Sequence, residues 1–372
     1  MLRYVIGLVA LLTIFSSCST DLNLTGDYKE QAIVYGLLDP NDNPDKNDNP
    51  SDVFGNGHFF RIQKGFLGEV SAFEMALIAD SSYFDDAITV IEVYDIFNGD
   101  TLNRWALDTV YTVGKEEGDF FGPKQKLYHL NENVFEDHSY MLFITNQESG
   151  YRATSEISML GESSFKWTNP SKNSPATYRG LNLKRNDGTY FDVGIDFATA
   201  DNAANYELWL TFYYREVAGT DTTQHELTWR VGSNSFPRED DKGEANGTLT
   251  LSGEQVFSFI GSNIQSNPSI IRLIGKDFNR NTGSGNKFGP DAFELTMYIA
   301  GTEFSEFLSV SNGNVSGSLT DVPTYSNINN GLGVFSCRTS KKFPNLVPND
   351  GDDLQEFISG QYTGGLQFTT DE

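Results

Sequence analysis

The residue with the clearest chemistry is Cys18, which closes an N-terminal segment with the features of a bacterial lipoprotein signal. Arg3 supplies a positive charge, residues 5–15 form an apolar stretch, and residues 16–17 place two serines directly before the cysteine. The stretch is shorter than the roughly 20 residues of a membrane-spanning helix. Acyl chains on the Cys18 thiol would anchor the protein instead, because each buried methylene contributes about 0.8 kcal/mol. We therefore expect residues 1–17 to be removed and Cys18 to be lipidated; the alternative is a buried core helix that ends at a cysteine.

A second set of candidate residues lies in segment 39–52, which is rich in Asp and Asn. Calcium prefers side-chain oxygens of this kind. The candidate calcium ligands are Asp39, Asn41, Asp42, Asp45, Asp48 and Asp52. The segment lacks the glycine and the glutamate that an EF-hand loop requires at its sixth and twelfth positions. Because it contains three prolines and almost no apolar side chain, the preferred interpretation is a solvated acidic loop without regular structure, and a calcium site is the alternative.

A third candidate is the pair Phe120 and Phe121, which lies in a polar segment bounded by Gly and Pro. Exposed aromatic side chains of this kind could dock on a partner protein or stack on a sugar. The alternative is that both rings fold back over the end of a sheet.

No residue pattern in the chain identifies a reaction. The four histidines lack metal-ligand spacing, and no nucleophile elbow, phosphate loop or dinucleotide fingerprint occurs. We therefore predict a protein that is not an enzyme and has no cofactor, although two carboxylates brought together from distant strands, as in a glycoside hydrolase, remain possible. The formal net charge of −25 argues against nucleic acid as a partner. Once Cys18 is acylated, Cys337 has no partner for a disulfide, and we expect it to be buried.

The composition, with 13% aromatic residues and 35 glycines, favours strands and tight turns over helices. We predict a mostly β protein with an N-terminal antiparallel sandwich of the immunoglobulin or fibronectin kind, followed by a larger β-rich domain with two short helices. The chain is longer than a single core usually supports. The predicted divisions are a tether at 18–29, the sandwich at 30–160, a junction at 161–178 and the second domain at 179–372.

Alternation of apolar and polar residues locates the individual elements. Strands are predicted at 31–38, 58–63, 87–97, 127–130, 139–146, 151–159, 190–197, 206–217, 225–232 and 292–299, with a hairpin loop at 218–224. Helices are predicted at 252–265, with a capping box formed by Ser252 and Gln255, and at 302–308. Gly331 and Gly333 are expected to permit backbone angles and a close approach that a side chain would prevent.

Two segments carry a resemblance to a known family. Residues 324–335 resemble the closing motif, and residues 33–38 with 61–69 resemble the first hairpin, of a family of Bacteroidetes outer-membrane lipoproteins often encoded beside TonB-dependent receptors. This resemblance implies a lipid-anchored protein at the outer membrane, on the cell surface or on the periplasmic face. It also implies a non-enzymatic accessory or cargo-capture subunit whose partner is a TonB-dependent β-barrel receptor. An adhesin or glycan-binding module and a carbohydrate-active enzyme are the alternatives.

Overall fold

The structure of the protein is a computed structural model. It describes residues 29–46, 56–65, 74–75, 77–112, 122, 124–170, 179–236, 245–276, 292–313, 325–349 and 351–369. The described residues are mostly β-strand with a few short helices, as predicted. The strands are β1 (Ala32–Leu38), β2 (His58–Lys64), β3 (Thr89–Phe97), β4 (Asp100–Ala106), β5 (Asp108–Tyr111), β6 (Lys126–Leu130), β7 (Ser139–Asn146), β8 (Arg152–Ser158), β9 (Lys166–Asn169), β10 (Arg179–Leu181), β11 (Asp192–Ala198), β12 (Ala203–Ala218), β13 (Asp221–Ser235), β14 (Asn246–Ser252), β15 (Ile271–Ile274), β16 (Phe293–Gly301), β17 (Gly331–Pro348) and β18 (Phe368–Thr369). The helices are α1 (Ala79–Ser82), α2 (Gly253–Asn263), α3 (Thr302–Gly313) and α4 (Asp352–Ser359).

The predicted strands correspond to observed strands because alternate side chains point into a core. In β3 alternate residues from Thr89 to Asp95 are buried, and of these Ile91 and Val93 are apolar, whereas β7 has the predicted bounds. The long hairpin of β12 and β13 differs from the prediction. Backbone pairing continues to Ala218 and Asp221, so the turn consists of Gly219 and Thr220 alone, and the loop predicted at 218–224 is wrong. Gly219, with φ of +66°, supplies the left-handed conformation that such a tight turn needs.

The two predicted helices are present as α2 and α3. Helix α2 buries Val256, Phe257 and Ile260 on one face, as its periodicity predicts. The predicted capping box is wrong, because Ser252 occupies the N-cap position but its side chain makes no capping hydrogen bond. Helix α3 extends to Gly313, beyond its predicted end. The short helix α4 near the C-terminus was not predicted.

The sheets bring the two ends of the chain together. The largest has the strand order β18-β15-β12-β16-β17-β1-β2-β6-β5, with β13 paired to β12 and β10 paired to β17. A four-stranded sheet, β4-β3-β7-β8, contacts the large sheet near β1, where the hydroxyl of Tyr151 accepts a hydrogen bond from the backbone of Ala32 at 2.7 Å and donates one to the carbonyl of Asn330 at 2.6 Å. The third sheet has the order β14-β11-β9.

Parallel pairing of β1 with β17 places the first strand beside residues 331–337. Gly333 has φ of +99°, and a Cβ atom there would lie 2.0 Å from the carbonyl oxygen of Val34, which confirms the expected need for glycine. One sheet therefore includes strands from both segments that the sequence assigns to separate domains. Strand β9 lies within the segment predicted as a junction. It contains the buried Trp167, and the buried Phe165 directly precedes it. The two-domain division stays a prediction.

Candidate functional site

A cleft of about 700 Å³ opens at the β5 and β6 end of the large sheet, beside α1. Its volume falls within the roughly 300–1,000 Å³ of typical ligand-binding pockets. Two tyrosines, three aspartates and two lysines contribute to its walls, together with two apolar residues. The lining residues are Lys64, Ala79, Asp80, Tyr83, Phe84, Asp85, Asp86, Tyr111 and Lys126.

Lys126 forms the buried charged part of the cleft. It is the first residue of β6, in the inward-facing phase with Tyr128 and Leu130, and only 4% of it is exposed. Its ammonium group donates to the carbonyl of Phe84 at 2.8 Å and to Asp86 Oδ1 at 2.6 Å. Because a buried charge is costly unless it is paired and hydrogen-bonded, these two acceptors hold the lysine in one position.

Asp86, in the segment between α1 and β3, accepts hydrogen bonds from side chains of both β5 and β6. Its Oδ1 also accepts a hydrogen bond from the Tyr128 hydroxyl at 3.4 Å, and its Oδ2 accepts one from Thr109 at 3.1 Å. Burial raises the pKa of Tyr128, and the adjacent Asp86 carboxylate raises it further, so the phenol stays protonated and continues to donate. The base of the cleft is thus a connected hydrogen-bond network on β5 and β6.

The opposite wall consists of residues 79–86, and Phe84 anchors it. Phe84 is 3% exposed and stacks on Tyr151 with 6.5 Å between ring centroids, whereas its neighbours Tyr83 and Asp85 remain accessible. The Asp85 carboxylate accepts from the backbone of Ala87 at 2.9 Å through one oxygen, which fixes a turn in this wall. The buried Phe84 therefore fixes the position of the segment from which Tyr83 and Asp85 line the cleft.

The aromatic surface of the cleft comes from Tyr83 and Tyr111. The Tyr83 hydroxyl accepts a hydrogen bond from the backbone of Lys126 at 3.4 Å, so that ring is held against β6. Tyr111, at the end of β5, is 53% exposed. Tyrosine combines an apolar ring with a polar hydroxyl. Together with carboxylate acceptors and lysine donors, these rings can bind a polar organic ligand that also has an apolar face.

The structure places the calcium candidates Asp39, Asn41 and Asp42 against β17 rather than around a common centre. Asp39 Oδ2 lies 3.0 Å from Arg338 Nε, and Asp42 Oδ2 lies 3.2 Å from Arg338 Nη2. Asn41 donates from its side chain to Thr339 at 2.9 Å, while Asp45 is exposed in a turn. The arginine already balances much of the negative charge that a calcium ion would require. Within the described residues, no three His, Cys, Asp or Glu side chains group as metal ligands.

The beginning of the acidic segment is more ordered than predicted. Pro40–Asp42 forms a single 3-10 turn, and Asp39 caps it by accepting from the backbone of Asn41 at 2.9 Å. Asp39 and Asn43 are buried, and Asn43 exchanges two hydrogen bonds with the backbone of Val134. The preferred interpretation of a solvated loop without regular structure is therefore wrong for residues 39–43. Hydrogen bonds of these polar side chains hold the turn in place, since the segment has almost no apolar side chain that could pack against the core.

His58 is buried beside this turn and stays neutral. Its Nδ1 accepts from the backbone of Asp39 at 3.4 Å, and its Nε2 lies 3.1 Å from the carbonyl of Glu132, to which it can donate. Burial lowers the pKa of His58 to about 4. Burial also raises the pKa of Asp39 to about 6, although Asn41 and Arg338 act in the opposite direction. This region supports the fold and joins the N-terminal hairpin to β17.

Five predicted site residues lie outside the described residues: Cys18, Asp48, Asp52, Phe120 and Phe121. The segment that carries both phenylalanines connects β5 with β6 in the chain. The calcium, lipidation and docking predictions for these residues stay predictions. Cys337 is described and is fully buried, as expected, and burial raises the pKa of its thiol.

Two buried aspartates outside the cleft, Asp353 and Asp95, have structural partners. Asp353, at the start of α4, accepts hydrogen bonds from the backbone of Leu183, Lys184 and Asn349 at 2.7–3.2 Å. Asp95 accepts from His138 Nδ1 at 2.5 Å, and the other ring nitrogen of that histidine lies 3.7 Å from the Asp137 carboxylate. A ring held between two carboxylates is fixed in orientation, and this arrangement does not activate a nucleophile.

Sequence reasoning missed the cleft. The signal that could have indicated it is Lys126, because a charged residue there precedes Tyr128 and Leu130 with the period of a buried strand face. A lysine whose side chain points to the same side of the strand as core residues requires a buried hydrogen-bond acceptor. No spacing rule connects residue 126 with residues 79–86, which approach it only through folding.

Among the described residues, no helix combines the length and the apolar character needed to cross a membrane. Comparison with known proteins finds no matching protein-family model and no similar curated sequence. The family resemblance therefore rests on the residue patterns at 33–38, 61–69 and 324–335 alone.

Proposed function

We propose that this protein is a non-enzymatic, lipid-anchored capture protein of the outer membrane, which faces outward and binds a small polar ligand beside a TonB-dependent receptor. The observation that carries the capture role is the cleft, where the buried Lys126 in its ion pair with Asp86, two tyrosines and accessible carboxylates converge. The anchor is supported by the sequence around Cys18. The receptor as partner is supported by the resemblance of the first hairpin and of residues 324–335.

The anchor is tested by replacing Cys18 with Ser and separating soluble from envelope fractions. We expect the variant to leave the envelope fraction, because the acyl chains supply the membrane affinity. Cys337→Ala is the matched control, since that thiol is fully buried and out of reach of an acylating enzyme. Sedimentation of the Cys18→Ser protein with envelopes, as in the control, would contradict the proposal. Protease treatment of intact cells distinguishes the outward from the periplasmic face.

The partner is tested by affinity purification of the full chain in mild detergent, followed by mass spectrometry. Recovery of a β-barrel receptor is the expected result, and recovery of the protein by itself would contradict the receptor association. Phe120→Ala and Phe121→Ala test the predicted docking pair. Retention of the barrel by both variants would remove that pair from the interface without affecting the other conclusions.

A glycan-binding module is the second candidate function, and the same cleft favours it. Exposed tyrosine rings next to carboxylates suit the binding of sugars, whose rings present both apolar faces and hydroxyl groups. Such a module needs no receptor. Binding of a glycan by purified protein, together with failure to recover a barrel, would favour this function over the first.

A further inference from the structure

We infer that the ligand of the cleft is a neutral saccharide, held by stacking on Tyr83 and Tyr111 and by hydrogen bonds from its hydroxyl groups to Asp85. This inference names the ligand class for the capture role and therefore rests on the proposed function. It is argued from the chemical groups that line the cleft, from their charges and from how each group is fixed.

The cleft combines ring faces with hydrogen-bonding groups. Tyr111 has 53% of its surface exposed at the end of β5, and Tyr83 is a second lining residue. Tyrosine rings are stabilised by contact with the C–H faces of a sugar, which a ligand without an apolar face does not offer. Two tyrosines in one cleft suit a ligand that has both a flat face and a polar edge.

The second argument is that acceptor positions remain open. The interaction of Asp86 with Lys126 at 2.6 Å uses the Asp86 carboxylate internally, as do its bonds to Thr109 and Tyr128. Asp85, in contrast, uses only Oδ1 among the described residues, where it accepts from the backbone of Ala87. Carboxylate oxygens accept and do not donate when ionised. A ligand with hydroxyl donors is therefore complementary to the second oxygen of Asp85.

The third argument is charge. The ammonium group of Lys126 is neutralised by Asp86, which leaves Asp80 and Asp85 against Lys64 among the charged lining residues. The whole chain has a formal net charge of −25. An anionic ligand would be repelled both locally and at long range. The mixture of donors and acceptors in the cleft suits a neutral ligand with many hydroxyl groups. A simple cation fits less well, because the positive charge of Lys64 would repel it.

The fourth argument is that the walls are held in place before a ligand arrives. Phe84 is buried behind Tyr83 and Asp85, and the Tyr83 hydroxyl is bonded to the backbone of β6. The Lys126 ammonium group fixes both walls, since it bonds to the carbonyl of Phe84 as well as to Asp86. Fixed side chains lose little conformational entropy on binding, so weak stacking contacts become useful.

The test is binding of the labelled full mature chain to an immobilised array of neutral oligosaccharides of glucose, xylose, mannose and N-acetylglucosamine, with sialylated and sulfated glycans as anionic probes. Binding to at least one neutral glycan is expected, followed by titration calorimetry with that glycan in solution. Absence of binding to every neutral glycan, or binding confined to the anionic probes, would overturn the inference.

Variants of the cleft locate the binding. Tyr111→Ala should weaken the affinity at least about tenfold, equivalent to roughly 1.4 kcal/mol, and Tyr111→Phe should retain it because the ring remains. Tyr298→Ala is the matched control, since that tyrosine is 46% exposed and is not a lining residue of the cleft. A neutral glycan that binds the Tyr111→Ala and wild-type proteins equally would place the sugar elsewhere and refute the inference.

Failure of this inference is distinguishable from failure of the proposed function. If no neutral glycan binds but a β-barrel is recovered in detergent, the capture role beside a receptor stands and the ligand class is wrong. If a glycan binds at the cleft and no barrel is recovered, the ligand class stands without the receptor. Release of new reducing ends from the bound glycan, lost in Asp85→Asn, would contradict the non-enzymatic role alone.

Discussion

Replacement of Gly333 by Ala tests whether the close contact between β1 and β17 is a major source of stability. Gly333 has φ of +99°, a conformation that costs an L-residue roughly 1–2 kcal/mol. In addition, the new Cβ would lie 2.0 Å from the carbonyl oxygen of Val34, so one of the two strands must move. Overpacking of this kind typically costs about 1–3 kcal/mol. We therefore expect a loss of about 2–5 kcal/mol from the free energy of unfolding, which combines both costs.

Gly351→Ala is the matched control for this substitution. Gly351 has φ of +104°, close to that of Gly333, but no described atom lies within 4 Å of its Cβ position. The control should lose about 1–2 kcal/mol, the cost of the backbone conformation alone. Urea unfolding measures both losses, and hydrogen exchange of residues 32–38 shows whether the first strand separates from β17. Equal losses in the two variants, or unchanged exchange in β1, would refute the reasoning.

The remaining predictions concern buried polar groups. His58→Gln should reduce acid destabilisation: the pKa of His58 is lowered to about 4, so its contribution to stability is complete above the unfolded pKa of 6.5 and is lost as the pH falls toward 4. The wild type should thus lose about 2 kcal/mol more than the variant between pH 7 and pH 5, and equal urea midpoint shifts would contradict this. Lys126→Met should cost about 1–3 kcal/mol in urea unfolding, because it removes the donor to a buried carbonyl, whereas Lys46→Met, at an exposed lysine outside the cleft, should change stability by less than about 0.5 kcal/mol; similar losses would argue against Lys126 as an organiser of the cleft. Asp353→Ala should cost about 3 kcal/mol or more, since three backbone N–H groups lose their acceptor, and a loss no larger than that of Asp352→Ala, measured by thermal unfolding, would count against it.

Local patterns predicted the strands well where one face is buried and the other is accessible. In β8, the buried Ala153 and Ile157 alternate with more accessible polar residues at 152, 154 and 156, so the periodicity is readable in the sequence. Helix α2 was predicted for the same reason, with its apolar residues on one side. The turn at Gly219 was placed wrongly, because polar residues after it suggested a loop, whereas backbone pairing with β12 keeps them in a strand.

Burial of polar residues could not be predicted, since it depends on partners that are remote in sequence. Asp39 and Asn41 read as solvated loop residues, but Arg338 and Thr339 reach them from the far end of the chain. The cleft could not be predicted for the same reason. Lys126 and Asp86 contact each other across 40 positions, and no local pattern at either residue specifies the other.

The amino-acid sequence by itself determined the mostly β fold class, the course of most individual strands and the prediction of a lipid anchor at Cys18, because each depends on residues that are neighbours in the chain. Only the tertiary structure decided that β1 pairs with β17, that Asp39 and Asp42 pair with Arg338, and that Tyr83, Tyr111 and Lys126 share one cleft. These features follow from contacts between distant segments, whose free energy depends on the whole packed core and on no single stretch of it.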